Sequence, residues 1–249
     1  MGRIYTKSCG VYMDQFDFSG VSNAVTLDIG NPLAPVTAYA DVDATYVEGK
    51  PGFTCEVKGM YSIASPDFDG QLFSILTTAQ RYIGIYPGGR TKGQYGYEMR
   101  SMISASPRHA AAASVVACDV TWRGELPIVR GPLLDVDTAV AASGNGTAYQ
   151  MGAVAAAETL VGVLRLLAAP AGAGNNTLDV IVQSDDNEAF TSPTTRLTFT
   201  QLNQATGPTV EVPTAAGAIT DTWWRVNYTY AGAGSRTFSL VIALGIRKT

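Results

Sequence analysis

The residues that could carry out chemistry are few and widely spaced in this sequence. A histidine-based hydrolase needs a histidine beside a nucleophile and a carboxylate, and the chain has the single histidine His109. Zinc sites need clustered ligands, but Cys9, Cys55 and Cys118 lie far apart and form no C-x-x-C pair. We therefore expect no catalytic residue, no metal ligand, no cofactor-binding residue and no enzymatic activity.

Two polar segments resemble ligand sites only in part. Residues 88–93 are rich in glycine and carry Arg90 and Lys92, but they lack the Gly-Lys-Ser/Thr ending of a phosphate-binding loop. Residues 185–188 offer oxygen ligands for a hard cation such as calcium, yet they have neither the central glycine nor the distal glutamate of an EF-hand. We interpret the first segment as a hairpin tip and the second as a polar turn between strands.

Charge is scarce along the chain. Charged residues make up 15% of the 249 residues, and the net charge is −4, whereas about 25% is usual for globular proteins. Such a surface must be covered by uncharged polar side chains or by neighbouring subunits. Neither half is basic, so a grip on nucleic-acid phosphates is disfavoured. No run of 18 apolar residues is present, so we expect no membrane partner.

Apolar and polar residues alternate with a period of two from end to end, which predicts an all-β fold. Phe53, Cys55 and Val57 share one face of a strand, and residues 238–246 show the clearest alternation. Residues 159–167 fit a helix or a strand buried on both faces, and we favour the strand. Residues 231–234 join two alternating strands and predict a hairpin.

Two segments depart from the strand pattern. Residues 67–80 place Phe68, Leu72 and Ile75 on one side at helical spacing, which predicts a short helix flanking the sheet. Residues 30–52 form a long excursion, interpreted as an extended hairpin or a solvated loop; long ordered loops are usually functional.

The turn-rich stretch around residue 128 predicts a boundary between two β-sandwich or barrel domains, residues 1–127 and 128–249. In the second domain, adjacent Trp223 and Trp224 must face opposite sides of a strand. One should therefore lie in the core and the other outside, against a neighbouring subunit or a sugar.

Several stretches resemble proteins of tailed bacteriophages. Residues 10–27 (GVYMDQFDFSGVSNAVTL), the excursion that contains Pro35-Val36-Thr37-Ala38-Tyr39, and the strand at 51–61 are similar to the N-terminal halves of siphophage major tail and related virion proteins. Residues 182–190, 196–200 and 224–238 resemble a β-sandwich module that is attached to such proteins. Gln15 departs from the pattern, which has glycine there more often.

The resemblance implies a structural protein of the virion, assembled in the host cytoplasm. It points to a tail-tube subunit that forms hexameric or trimeric rings with its own copies, contacts other tail proteins and lets DNA pass without specific binding. Alternatives are a capsid decoration protein and a receptor-binding or carbohydrate-binding tail module. The candidate assembly residues are Pro35, Thr37, Tyr39, Asp41, Asp43, Tyr46, Trp223 and Ile246.

Overall fold

The structure is a computed structural model that describes residues 9–30, 33–36, 43, 46–49, 52–60, 68–75, 80–109, 116–125 and 127–248. These residues form twenty strands and one α-helix, so the predicted all-β class is confirmed. None of the described helical residues belongs to a helix long and apolar enough to cross a membrane.

The first part of the chain contains ten strands and the helix: β1 (Gly10–Met13), β2 (Phe16–Asp17), β3 (Ser22–Gly30), β4 (Leu33–Pro35), β5 (Tyr46–Glu48), β6 (Gly52–Met60), α1 (Phe68–Ile75), β7 (Arg81–Tyr86), β8 (Tyr95–Ala105), β9 (Arg108–His109) and β10 (Ala117–Glu125). The helix predicted over residues 67–80 is thus present over Phe68–Ile75.

The second part contains ten further strands: β11 (Val129–Val140), β12 (Gly144–Asn145), β13 (Tyr149–Gln150), β14 (Glu158–Leu166), β15 (Thr177–Asp185), β16 (Thr194–Thr198), β17 (Thr209–Glu211), β18 (Thr214–Ala216), β19 (Trp223–Ala231) and β20 (Phe238–Lys248). The strand favoured at residues 159–167 is confirmed as β14.

The chain forms two compact units. Unit 1 takes the described residues within 1–19, 82–98 and 129–249, and unit 2 takes those within 20–81 and 99–128. Val129 lies beside the predicted boundary, but unit 1 also includes two earlier segments of the chain. The division into two domains of residues 1–127 and 128–249 stays a prediction.

Unit 1 contains two sheets that enclose a hydrophobic core. The first sheet has the order β17-β14-β20-β11 and continues to residues 95–98 of β8; the second has the order β12-β19-β15-β16. Both sheets supply the core, for example with Leu164 and Leu240 from the first and Val180 and Trp224 from the second. The burial of these alternating side chains stabilises the pair of sheets as a sandwich.

The first sheet of unit 1 is also covered on its other face. Val161, Val163 and Val241 point away from the sandwich core and pack with Tyr12 of β1 and Tyr86 of β7. As a result, every residue from position 160 to 166 of β14 is buried, as expected for a strand covered on both faces.

The hairpin predicted at residues 231–234 is wrong. Strand β19 belongs to the second sheet and β20 to the first, so this turn carries the chain across the sandwich. The apolar faces of the two strands, with Val226 on one and Ile242 on the other, meet in the core from opposite sides. Alternation is the same for a hairpin and for such a crossing, because it reports only that each strand has one buried face.

Unit 2 contains a sheet made of β3, β6, β10 and the end of β8, with β9 beside β10. Phe53, Cys55 and Val57 of β6 are buried on one face, as predicted, together with Cys118 and Trp122 of β10. Helix α1 lies on this face: Leu72 is fully buried, and the Cys118 thiol contacts Asp69 Oδ1 at 3.8 Å.

Candidate assembly surface

The long excursion contains a hairpin, as one of the two interpretations expected. Strand β4 pairs with β5 in antiparallel register, with Leu33 opposite Glu48 and Pro35 opposite Tyr46. The preceding β3–β6 pair ends with Gly30 opposite Gly52. The β4–β5 pairing therefore continues the β3–β6 pairing after a shift of one residue in register.

The described candidate residues of the excursion all face solvent. Pro35 and Asp43 are exposed, and Tyr46 has 55% of its surface accessible. Thr37, Tyr39 and Asp41 lie outside the described residues. Adjacent to the Pro35–Tyr46 pair, Val36 and Val47 are 51% and 54% exposed. We call Pro35, Val36, Tyr46 and Val47 the hairpin patch.

Exposed large hydrophobic side chains concentrate in unit 2. Of those found among the described residues, Tyr95 belongs to unit 1, and the others belong to unit 2: Ile29, Val36, Tyr46, Val47, Phe73, Met102 and Val116. Single exposed apolar residues are ordinary on any protein. Their accumulation on one unit is typical of a surface that is covered in an assembly.

Strand β3 gives unit 2 a long open edge. It has nine residues and pairs with β6 on one side; none of the described strands pairs with its other side. Its sequence contains one charged residue, Asp28, and no proline or lysine. Natural proteins usually protect such edges with charges, prolines or covering segments, so this edge is suited to pairing with another strand.

The remaining two candidates belong to unit 1. Trp224 is fully buried and donates its indole N–H to the Gly152 carbonyl at 2.9 Å, whereas Trp223 is half-buried on the outer side of β19. The predicted division of the two tryptophans is thus confirmed. Ile246 is half-buried and packs against the sandwich core. The role of Trp223 and Ile246 in subunit contacts stays a prediction.

Residues 88–93 form the tip between β7 and β8, as interpreted from the sequence. Their two basic side chains are already paired: Arg90 with Asp17 at 2.8 Å and Lys92 with Asp135 at 2.5 Å. Both cations therefore have carboxylate partners within unit 1.

Residues 185–188 form a polar turn held by its own side chains. Asp185 accepts hydrogen bonds from the Asn187 amide at 3.2 Å and the Ser192 amide at 2.8 Å. Burial raises the pKa of Asp185, but the hydrogen bonds from Ser192, Asp186 and Asn187 outweigh it, and the pKa lies below its ordinary value. In the part of the chain that the structure describes, no group of three or more His, Cys, Asp or Glu residues is arranged to hold a metal ion.

A buried polar network in unit 1 was not foreseen from the sequence. Arg165 of β14 is fully buried and donates from both Nη atoms to the two Glu98 carboxylate oxygens at 2.7 Å. Tyr86 donates to Glu98 Oε1 at 2.6 Å, and the Tyr12 ring lies 5.5 Å from the guanidinium. Burial, reinforced by Glu98, raises the pKa of Tyr86 well above its usual range, so its hydroxyl remains a donor.

The sequence did carry a signal for this network. An arginine inside a strand that is buried on both faces requires a buried carboxylate, since an unpaired charge is strongly unfavourable there. What the pattern could not indicate was which of the acidic residues supplies it. Glu98 lies 67 positions earlier in the chain.

Two further clusters contain potential nucleophiles. Burial raises the pKa of the Cys118 thiol to about 11, so it stays protonated near neutral pH and is a poor nucleophile. Ser184 donates to Asp221 at 2.6 Å and accepts from Arg196 at 2.8 Å. The hydrogen bonds from Ser184 and Arg196 lower the pKa of Asp221, which makes this carboxylate an ion-pair partner rather than a base.

No family model matches this chain, and no curated protein matches it. Among solved structures, a chain from the virion of a native gene transfer agent particle is similar at 9% identity and a TM-score of 0.38, over 50% of this chain and 95% of that chain. A chain from the tail of an empty gene transfer agent particle with C6 symmetry is similar at 10% identity and a TM-score of 0.33, over 43% of this chain and 80% of that one.

The Dit protein of phage SPP1, described as a paradigm of the hub of the adsorption apparatus in phages that infect Gram-positive bacteria, is similar at 6% identity and a TM-score of 0.35. The match covers 90% of this chain and 100% of that chain. All three TM-scores lie below 0.5.

Proposed function

We propose that this chain is a structural subunit of a tailed-bacteriophage tail, and that it forms the tail tube by assembling with its own copies into stacked rings of six or three. The observation that carries the proposal is the surface of unit 2. It combines the open β3 edge, the hairpin patch and most of the exposed large hydrophobic residues among the described part of the chain.

Contact between copies would remove this surface from water. Each square ångström of apolar area that is buried contributes roughly 25 cal/mol, and a strand added at the β3 edge would satisfy its open backbone groups. The hairpin patch and the β3 edge are different elements, so a contact that joins one to the other is heterologous. Heterologous contacts produce rings when their rotation closes.

A DNA channel requires a wall that does not hold phosphates. The chain has a net charge of −4, and Arg90 and Lys92 are paired with carboxylates within unit 1. A surface of this charge repels DNA weakly at physiological ionic strength, where screening acts over about 8 Å. Passage without specific binding is consistent with these charges.

The test is electron microscopy of the purified full-length chain, combined with light scattering over a range of concentrations. We expect rings or short tubes for the natural sequence. The double substitution Tyr46→Ser with Val47→Ser should raise the protein concentration that assembly requires at least tenfold, because it removes two exposed apolar side chains.

The matched control is Tyr95→Ser, since Tyr95 is 41% exposed but belongs to unit 1. It should assemble like the natural chain. A natural chain that stays monomeric at high concentration would overturn the proposal. Lone trimers that never stack would favour a capsid decoration protein instead.

A further inference from the structure

The second sheet of unit 1 has an outer side that carries planar polar groups around one tryptophan. Strand β19 turns Trp224, Val226 and Tyr228 into the core, so its alternate residues face outward. The strand register places further amide side chains beside them on β12, β13 and β15. We call the following residues the outer polar face: Asn145, Gln150, Gln183, Trp223, Arg225 and Asn227.

Arg225 is held in a fixed orientation at the centre of this face. Its guanidinium carbon lies 4.2 Å from the centroid of the Phe190 ring, and its Nε donates to Gln183 Oε1 at 3.0 Å. For its two Nη atoms, no hydrogen-bond partner is present among the described residues. Because the side chain is already ordered, little conformational entropy is lost when these atoms bind a ligand.

The ring beneath Arg225 sits on a strained backbone. Phe190 has a φ of 50°, in the left-handed region that bulky residues rarely adopt, and it is only 6% exposed. Residues in such conformations cluster at functional sites. The turn that begins at Asp185 holds it there, with the Ser192 amide bonded to Asp185 Oδ2 at 2.8 Å.

The charges around Arg225 favour a neutral ligand over an ionic one. Asp185 acts electrostatically on Arg225 and partly offsets its positive charge. Asp221 is paired with Arg196 at 2.9 Å. Asp185 would therefore repel an anion that approached Arg225, and the guanidinium would repel a cation.

From these features we infer that the outer polar face binds a neutral sugar chain. The planar guanidinium can donate to neighbouring hydroxyls of a sugar, and amide groups can both donate to them and accept from them. The half-buried Trp223 indole provides an apolar surface for the C–H side of a sugar ring. The three positions of β19 that belong to the outer polar face span about 13 Å, enough for more than one sugar unit.

The experiment is affinity electrophoresis of the full-length chain in native gels that contain dextran, galactan, mannan or, for comparison, the acidic polymer polygalacturonate. We expect at least one neutral polymer to retard the natural chain. Trp223→Ala and Arg225→Ala should weaken that binding about tenfold or more. Trp223→Phe should retain most of it, and Arg225→Lys should lose most of it, because lysine lacks the planar fork.

Thr229→Ala is the matched control, since Thr229 lies exposed on the same strand beyond the outer polar face. It should bind like the natural chain. The inference would be overturned if no neutral polymer retarded the natural chain, or if polygalacturonate alone did. It would also be overturned if Trp223→Phe, Arg225→Lys and the two alanine variants were all retarded as much as the natural chain. Self-association lost in these variants, without polymer binding, would make this face a contact between copies.

Discussion

Three strands of unit 1, namely β7, β8 and β14, meet at the Glu98 carboxylate. The pair that it forms with Arg165 is buried and bidentate, and Tyr86 adds a third donor. The close packing extends to the backbone, because a Cβ at Gly84 would lie 2.6 Å from Glu98 Oε1. Glycine is required at position 84 for this reason, and the network positions β1 and β7 over the first sheet.

Replacement of Glu98 by glutamine should lower the free energy of unfolding by about 3–5 kcal/mol, because it leaves the buried Arg165 charge uncompensated. Urea unfolding followed by tryptophan fluorescence measures the change. The double variant Glu98→Met with Arg165→Met is the control. It removes both charges, and its free energy of unfolding should be closer to that of the natural chain than the value for Glu98→Gln is. A decrease of less than about 1 kcal/mol in the free energy of unfolding of Glu98→Gln would contradict the stabilising role of the Glu98–Arg165 pair.

At the scale of elements, α1 has one face that contributes to the stability of unit 2 and another face that is exposed for the proposed assembly. The helix has one face against the sheet, where Leu72 is fully buried, and another in solvent, where Phe73 is 74% exposed. Asp69 also holds it through an ion pair with Arg108 at 2.5 Å. Neighbouring positions of one helix therefore report on two different properties.

Leu72→Ala should destabilise the chain by about 2–5 kcal/mol, since it leaves a cavity under the helix. Phe73→Ala should change stability by less than about 0.5 kcal/mol, because its side chain lies in solvent. Thermal unfolding of the two variants under identical conditions tests this contrast. Equal destabilisation by both substitutions would show that Phe73 is covered within the subunit.

At the scale of the whole molecule, the first sheet of unit 1 depends on distant parts of the chain. Its outer face, which includes Val161, Val163 and Val241, is covered by Tyr12 and Tyr86 from segments that precede residue 128. A fragment that begins at residue 128 would lack both tyrosines. It would also lack Glu98, the partner of buried Arg165.

We expect the fragment 128–249 to aggregate or to unfold without cooperativity, because this face and Arg165 would be left uncovered. Size-exclusion chromatography and binding of a hydrophobic dye measure the effect, with the full-length chain as the reference. A monomeric fragment with a sharp unfolding transition would instead support the predicted boundary at residue 128.

For the strands that it singled out, the sequence predicted which residues share a face. The alternation at Phe53, Cys55 and Val57 and the pattern of residues 238–246 were reproduced in β6 and β20, because a strand places successive side chains on opposite faces wherever it lies. The burial of one tryptophan of the Trp223–Trp224 pair was equally predictable from local pattern.

Only the tertiary structure decided which strands become neighbours. It separated β19 from β20, assigned residues 82–98 to unit 1, and paired Arg165 with Glu98 across 67 positions. It likewise placed Phe190 under Arg225. A period of two identifies a buried face but not the surface that covers it, because that surface is supplied by contacts between residues far apart in the chain.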